Sequence, residues 1–238
     1  MLIDYTGKKV LVTGGTKGLG KDFVDSFRNA GAEVWYTGRA RNDEDPYHLQ
    51  VNFVDDPNGQ RGWFLEEIGK IGFDVLINNA GTNKIGPIEE YDIRDYEKII
   101  KLNLTSCFET TQAVIPYMKQ NGYGRIVNIT SISSEISMPL RSAYCSSKFG
   151  LLGLTKVSGV ELASHGILVN AVGPGVTKTK LTVDVLGEEK MDEISKNVPI
   201  GRLGEVEDVS NVVMFMASDL NTYMVGQNIL VDGGYTCV

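Results

Sequence analysis

This chain is poor in the residues that build metal centres and disulfide frameworks, with three cysteines and two histidines among 238 residues. Cys107, Cys145 and Cys237 are odd in number and irregularly spaced, fitting neither a bridged scaffold nor a metal site. Cys145 reads as a packed helix residue rather than a nucleophile, because no His lies near it in sequence. His48 and His165 fall at loop-like positions and suggest no catalytic triad. No apolar run approaches the ~20 residues that a membrane-spanning helix needs. Cations are also in deficit, 23 Lys and Arg against 30 Asp and Glu, giving a net charge of -7. That balance argues against nucleic acid as a partner, since phosphate neutralisation requires clustered Lys and Arg. Asp4 interrupts the opening residues where a signal peptide would be apolar, so a cytoplasmic location is expected. Repeats, linkers and low-complexity tracts are missing too, and the length fits one α/β domain over residues 1–238.

What the chain does have is alternation. Strand-like runs at Lys9–Val12, Glu33–Tyr36, Leu49–Phe53, Val75–Asn78, Arg125–Ile129, Leu168–Ala171 and Asn228–Val231 are separated by helical segments. Such a pattern implies a parallel sheet with helices on both faces. Right-handed crossovers and a reversal after the third strand give a Rossmann-type doubly wound sheet, with ligands at the carboxyl ends of the strands. One interval is too short for the pattern. Gly38 to His48 contains Pro46 and cannot hold both a helix of mean length and its connections. The helix between the second and third strands is therefore expected to be missing or reduced to a turn.

Thr13-Gly14-Gly15-Thr16-Lys17-Gly18-Leu19-Gly20 follows the first strand and precedes a helix with Phe23, Val24 and Phe27 at helical spacing. Strand, glycine turn and helix is the context in which backbone N–H groups and the positive helix end hold a pyrophosphate. The glycines at 14, 18 and 20 depart from the commoner G-x-G-x-x-G spacing, and a ligand-free glycine turn is the plain alternative. Farther on, Tyr144 and Lys148 stand four apart, on one face of a helix. A phenol with its ordinary pKa near ~10 exchanges protons poorly at neutral pH, and a neighbouring ammonium lowers that value. Alone, this pair also occurs on ordinary solvated helix faces.

Together these residues resemble the short-chain dehydrogenase/reductase family over essentially the whole chain. The T-G-x-x-x-G-x-G pattern is Thr13 to Gly20, and N-N-A-G is Asn78-Asn79-Ala80-Gly81. The family's helical Asn matches Asn103, its Ser matches Ser131 and its Tyr and Lys match Tyr144 and Lys148. The P-G turn is Pro174-Gly175, with Thr179 at the matching threonine, and Val231-Asp232-Gly233-Gly234 is typical of its end. The resemblance implies hydride exchange between a nicotinamide and a small-molecule ketone or secondary alcohol. Tyr144 would be the acid or base, Lys148 its modulator and a ribose ligand, Ser131 a bond to the substrate oxygen, and Asn103 the support of a water. Cofactor contacts would come from Gly14, Thr16, Lys17, Gly18, Leu19, Gly20, Arg39, Asn52, Phe53, Asn79, Ala80, Gly81, Tyr144, Lys148, Pro174, Gly175, Val176 and Thr179. No metal is expected. Two alternatives stand beside this one. A nucleotide-binding regulator of the same fold would tolerate loss of Tyr144 or Lys148, and an enoyl reductase places its Tyr and Lys farther apart.

Charge points to the cofactor. NAD-selective sites end the second strand with a carboxylate, whereas here Thr37-Gly38-Arg39 follows, and Glu33 lies too early. Arg39 offers a planar fork suited to phosphate, and Lys17 a second cation, so NADP(H) is expected over NAD(H). Asp43, Glu44 and Asp45 would weaken that preference. The helices near Asp95–Met118 and Ala143–Ala163 carry apolar residues on more than one face, including Ile99, Leu102, Phe108, Val114, Phe149, Leu151, Leu152 and Leu154. A homo-oligomer, a tetramer in particular, is expected from that excess. Thr177 to Val198, the segment expected to cover the substrate, is mixed in charge and names no substrate.

Overall fold

The computed structural model describes residues 3–56, 59–179, 182 and 188–238. Its centre is a sheet of β1 (Lys9–Val12), β2 (Glu33–Gly38), β3 (His48–Gln50), β4 (Val75–Asn78), β5 (Gly124–Ile129), β6 (Ile167–Pro174) and β7 (Asn228–Val231). The strands lie in the order β3-β2-β1-β4-β5-β6-β7, every pair parallel. The chain moves outward from β1 to β3 and then returns to the other side of β1 with β4. That reversal opens a crevice at the carboxyl ends of β1 and β4, where open parallel sheets bind ligands.

Both faces of the sheet are covered, so its strands are nearly continuous apolar runs. Val10 and Val12 point to one face and pack with Phe23, Val24 and Phe27 of α1 (Gly18–Asn29) and Val209 and Val213 of α7 (Val206–Met216). Leu11 points to the other, with Phe64 and Ile68 of α2 (Gln60–Ile71) and Val114 and Met118 of α4 (Ser106–Asn121). On this second face lies α5 (Ser142–Leu162), whose Leu162 joins that core. The remaining described helices are α3 (Ile93–Ile100) and α6 (Glu188–Lys196). Lys180, Leu181 and Val183–Gly187, within the segment expected to cover the substrate, lie outside the described residues, as do Met1, Leu2, Pro57 and Asn58.

A buried polar chain ties α4, the sheet and α5 together. Asn78 accepts from Thr110 Oγ1 at 2.7 Å and donates to Asn128 Oδ1 at 2.9 Å, while Asn128 Nδ2 donates to Thr155 Oγ1 at 2.9 Å. Satisfied networks of this kind fix one helix register, because each member would be costly if left alone. Asp74 is structural in the same sense, its carboxylate accepting from Lys9 N at 2.8 Å.

Residues 39–47 contain no helix. Side chains do its work: Arg28 pairs with Asp45 at 2.9 Å, Asn42 donates to Tyr36 OH at 3.1 Å, and the His48 ring packs on Tyr36 at 5.1 Å. His48 is thus the first residue of β3 and not a loop residue. The third strand is also shorter and earlier than the run Leu49–Phe53, because Asn52 leaves the ladder to cap a turn through Val54 N and Asp55 N. Beside this loop an open concavity of about 740 Å³, lined by Arg28, Val34, Asn42 and Tyr47, sits toward the amino end of β2, away from the crevice.

Asn128→Ala strips Asn78 and Thr155 of a buried partner. It should cost about 2–3 kcal/mol, lowering the thermal midpoint by roughly 4–12 °C for a chain of this size, as read by circular dichroism.

Candidate active site

The glycine loop is shaped by contact and not by length alone. A Cβ on Gly20 would stand 2.2 Å from Gly14 O, and one on Gly15 would stand 2.5 Å from Tyr36 Cβ. Gly14 and Gly18 take the left-handed conformation, at φ +69° and +55°. Thr37, at the end of β2, holds the loop from the side, its Oγ1 accepting from Gly14 N at 2.9 Å. Thr13 locks it to the neighbouring turn, its Oγ1 accepting from Asn79 N at 2.9 Å and Ala80 N at 3.0 Å. Asn79 answers by donating to Thr13 O at 2.9 Å. The helix begins at Gly18, inside the glycine loop, with Lys17 making no side-chain cap. The N–H groups of Gly18, Leu19 and Gly20 therefore open α1 with no partner among the described residues. Bare first-turn amides behind a loop that excludes side chains fit a phosphate group.

Opposite this cradle, Thr179 lies 3.8 Å from the position of a Cβ on Gly18 and bonds Thr182. Pro174 ends β6, and Gly175 follows so closely against Asp232 that a Cβ would meet its Cα at 2.8 Å. Val176 O accepts from Gly204 N at 3.0 Å, fixing the turn that carries Thr179. Arg39 and Lys17 are exposed, and neither has an ion-pair partner among the described residues. The nearby acids are otherwise engaged, Asp43 by Arg41 at 2.5 Å and Asp45 by Arg28. Phe53 follows β3 at the edge of the crevice. Its ring is buried against Phe64 at 5.5 Å, leaving only its backbone for any cofactor contact.

At the carboxyl end of β5 the second group assembles. Lys148 is buried at 5% exposure, and its Nζ donates to Ile129 O at 2.7 Å. Tyr144, one turn earlier on α5, places its ring centroid 5.6 Å from that ammonium. Ser131, two residues beyond Ile129, caps a short 3₁₀ turn, its Oγ accepting from Ser133 N at 3.1 Å. Asn103 arrives from a π-helical segment, Lys101–Thr105, between α3 and α4. An inserted residue of this kind re-aims one side chain and is frequent at functional sites. Asn103 is 1% exposed, and its amide clamps the Thr82 backbone from both sides, at 2.9 Å each, while donating to Ser147 Oγ at 3.0 Å. Its partners are thus remote in sequence, unlike the local backbone bonds usual for a mid-helix Asn. Thr37, Thr82 and Ser147 are members of the site that carry no sequence signal. Burial pushes the Cys107 thiol up to about 11, which makes it inert at neutral pH. Among the described residues no cluster of three or more His, Cys, Asp or Glu could hold a metal, and no helix is long and apolar enough to cross a membrane.

Comparison with known proteins bears on this geometry. A family model described as enoyl-(acyl carrier protein) reductase matches residues 62–236. The 3-oxoacyl-(acyl-carrier-protein) reductase of Aquifex aeolicus is 35% identical over 249 residues, covering 98% of this chain and 99% of its own. A 3alpha-hydroxysteroid dehydrogenase of Mediterraneibacter gnavus is 33% identical, with 98% of each chain covered. Among solved structures, a gluconate 5-dehydrogenase from Burkholderia cenocepacia in complex with NADP and tartrate superposes with a TM-score of 0.90. It is 27% identical, with 99% of this chain and 97% of that chain covered. The chain belongs to the short-chain dehydrogenase/reductase family and is an NAD(P)-dependent oxidoreductase.

Proposed function

We propose that the protein reduces a small ketone, or oxidises the matching secondary alcohol, with NADP(H), and that residues 1–238 act as one catalytic domain. The observation that carries this reading is the buried Lys148 ammonium beside the Tyr144 ring, held by Ile129 O at the end of β5. When bound, the cofactor supplies or accepts the hydride. Tyr144 gives its phenolic proton to the carbonyl oxygen in reduction and takes it back in oxidation. Lys148, whose Nζ is held by Ile129 O, supplies the positive charge beside that ring. Ser131 Oγ bonds the substrate oxygen and orients it toward Tyr144. Asn103 sets the position of the Thr82 strip and of Ser147 behind the tyrosine, and would steady a water that returns protons to Lys148. The amides of Gly18 to Gly20 would hold the pyrophosphate, and Asn79 to Gly81 and Thr179 would flank the rest. Arg39 and Lys17 would hold the 2′-phosphate, since Asp45 and Asp43 are paired to Arg28 and Arg41 and neither cation has an ion-pair partner among the described residues.

A regulator without chemistry has no need of Ser131, Tyr144 and Lys148 together. The matching family description names an enoyl reductase, but the four-residue spacing of Tyr144 and Lys148 favours reduction at C=O. We extend the proposal to assembly. Ile99, Val114 and Leu151 are buried within their own chain, which accounts for part of the apolar excess. Phe108 and Phe149, at 49% and 46% exposure, and Val160, at 79%, remain open on α4 and α5. These faces would pair across a twofold axis, within a tetramer.

Tyr144→Phe should cut kcat with NADPH and a generic ketone by ~10²–10⁴-fold while cofactor affinity stays near wild type; turnover within a few-fold of wild type would remove Tyr144 from the reaction. Lys148→Ala should lose both turnover and cofactor affinity. Arg39→Ala should weaken NADP⁺ binding by roughly 10- to 150-fold and NAD⁺ far less, as measured by fluorescence titration. Light scattering should return a tetrameric mass at micromolar concentration, and a monomeric mass would refute the assembly.

A further inference from the structure

Asn103 takes its direction from the π turn, so whatever holds that turn also holds the site. A bulge gives up regular α-helical bonds, and side chains compensate here. Ser106 N reaches five residues back, to Lys101 O. An α-helix would have paired that N–H with Leu102 O. Leu102 O accepts from Ser106 Oγ at 2.6 Å, and Ser106 is itself buried.

An ion pair crosses the same turn. Lys101, first residue of the π segment, donates through Nζ to Glu109 Oε1 at 2.8 Å, eight residues on in the first turn of α4. In an uninterrupted α-helix, residues eight apart stand about 80° apart around the axis, and such side chains do not face each other. One inserted residue makes the spacing equivalent to seven, which brings them within about 20° of alignment, two turns apart. The contact fits the bulged register and is a poor fit to the regular one. Both side chains are largely buried, so salt screens the pair less than an exposed one. The second carboxylate oxygen, Glu109 Oε2, is buried with no hydrogen-bond partner and lies 3.7 Å from Arg61 Nε of α2. Two cations from different elements converge on one carboxylate.

We propose that Lys101 and Glu109, backed by Arg61, are positioning residues for the reaction, their ion pair selecting the bulged register that aims Asn103 at Thr82 and Ser147. Without the inserted residue Asn103 would be turned about 100° relative to α4 and would lose both partners. Ser147 Oγ donates onward to Tyr144 O at 2.7 Å, so the pair is connected through Asn103 to the turn of α5 that carries the proposed proton donor. The inference rests on the carbonyl-reduction reading and adds to it residues that act through Asn103.

Lys101→Met and Glu109→Leu each remove the ion pair and keep an apolar stem in place. Amide hydrogen exchange should quicken across residues 101–107 and stay near wild type in the glycine loop. With NADPH and a generic ketone, kcat should fall by about 10- to 100-fold, while the Kd for NADP⁺ and the mass in light scattering stay at wild-type values. The double variant should lose no more than either single one, because both changes break the same contact. A merely structural pair would lower the melting temperature and leave kcat of the folded enzyme intact. Unchanged exchange over residues 101–107, kcat within a few-fold of wild type, or losses that multiply in the double variant would each overturn the proposal. The exchange measurement needs no turnover, so it still tests the ion pair if Tyr144→Phe shows the reductase reading to be wrong.

Discussion

Lys148 keeps an ammonium group at 5% exposure, with Ile129 O at 2.7 Å and no carboxylate paired to it among the described residues. A buried charge is expensive unless its surroundings are fixed to receive it. α5 must therefore bring its first turns to the carboxyl end of β5 while the rest of it packs on the sheet face, and the packing is arranged for that. Gly159 lets the helix approach so near that a Cβ would stand 2.9 Å from Gly226 N, and Thr155 accepts from Asn128 in the strand beneath. Seating the ammonium there also sets Tyr144 one turn above it and Ser131 just beyond the strand. The geometry of the proposed chemistry thus follows from where one cation can be buried.

The other half of the crevice is governed by exclusion of side chains. Gly14, Gly15 and Gly20 allow the loop, β2 and Asn79 to close on one another, leaving amides rather than Cβ atoms at the surface. Past Arg39 no helix covers the edge, and the short connection is held by Arg28, Asp45, Asn42 and Tyr36. On the proposed reading, cofactor affinity leans on exposed charges at Lys17 and Arg39 more than on enclosure. Exposed charges are screened by salt, so that affinity is expected to fall with ionic strength.

The fold was legible because its signals are local. Seven apolar runs gave seven strands, and the short connection 39–47, with Pro46 in it, left no space for a helix between β2 and β3. Tyr144 and Lys148 could be expected on one side of α5 because residues four apart share a helix face, and the ring and the ammonium do lie near one another. Features made by distant contacts were not legible. The π-helical turn at Lys101–Thr105 depends on Asn103 meeting Thr82 and Ser147, and the turn of Phe53 into the core depends on Phe64. Thr37 supports Gly14 from another strand. Strand boundaries moved for similar reasons: β2 runs on to Gly38 because Val51 N reaches Gly38 O, while Asn52 turns the chain away.

The central claim is that this site moves a hydride onto a carbonyl carbon. Isotope transfer tests it most directly. NADPH carrying deuterium at the transferable nicotinamide position is incubated with enzyme and a panel of small ketones, and the products are examined by mass spectrometry. The account predicts a secondary alcohol with a single deuterium on the new carbinol carbon, formed in step with cofactor oxidation. Cofactor oxidation without deuterium in the product, or no reduced product at all, would contradict it.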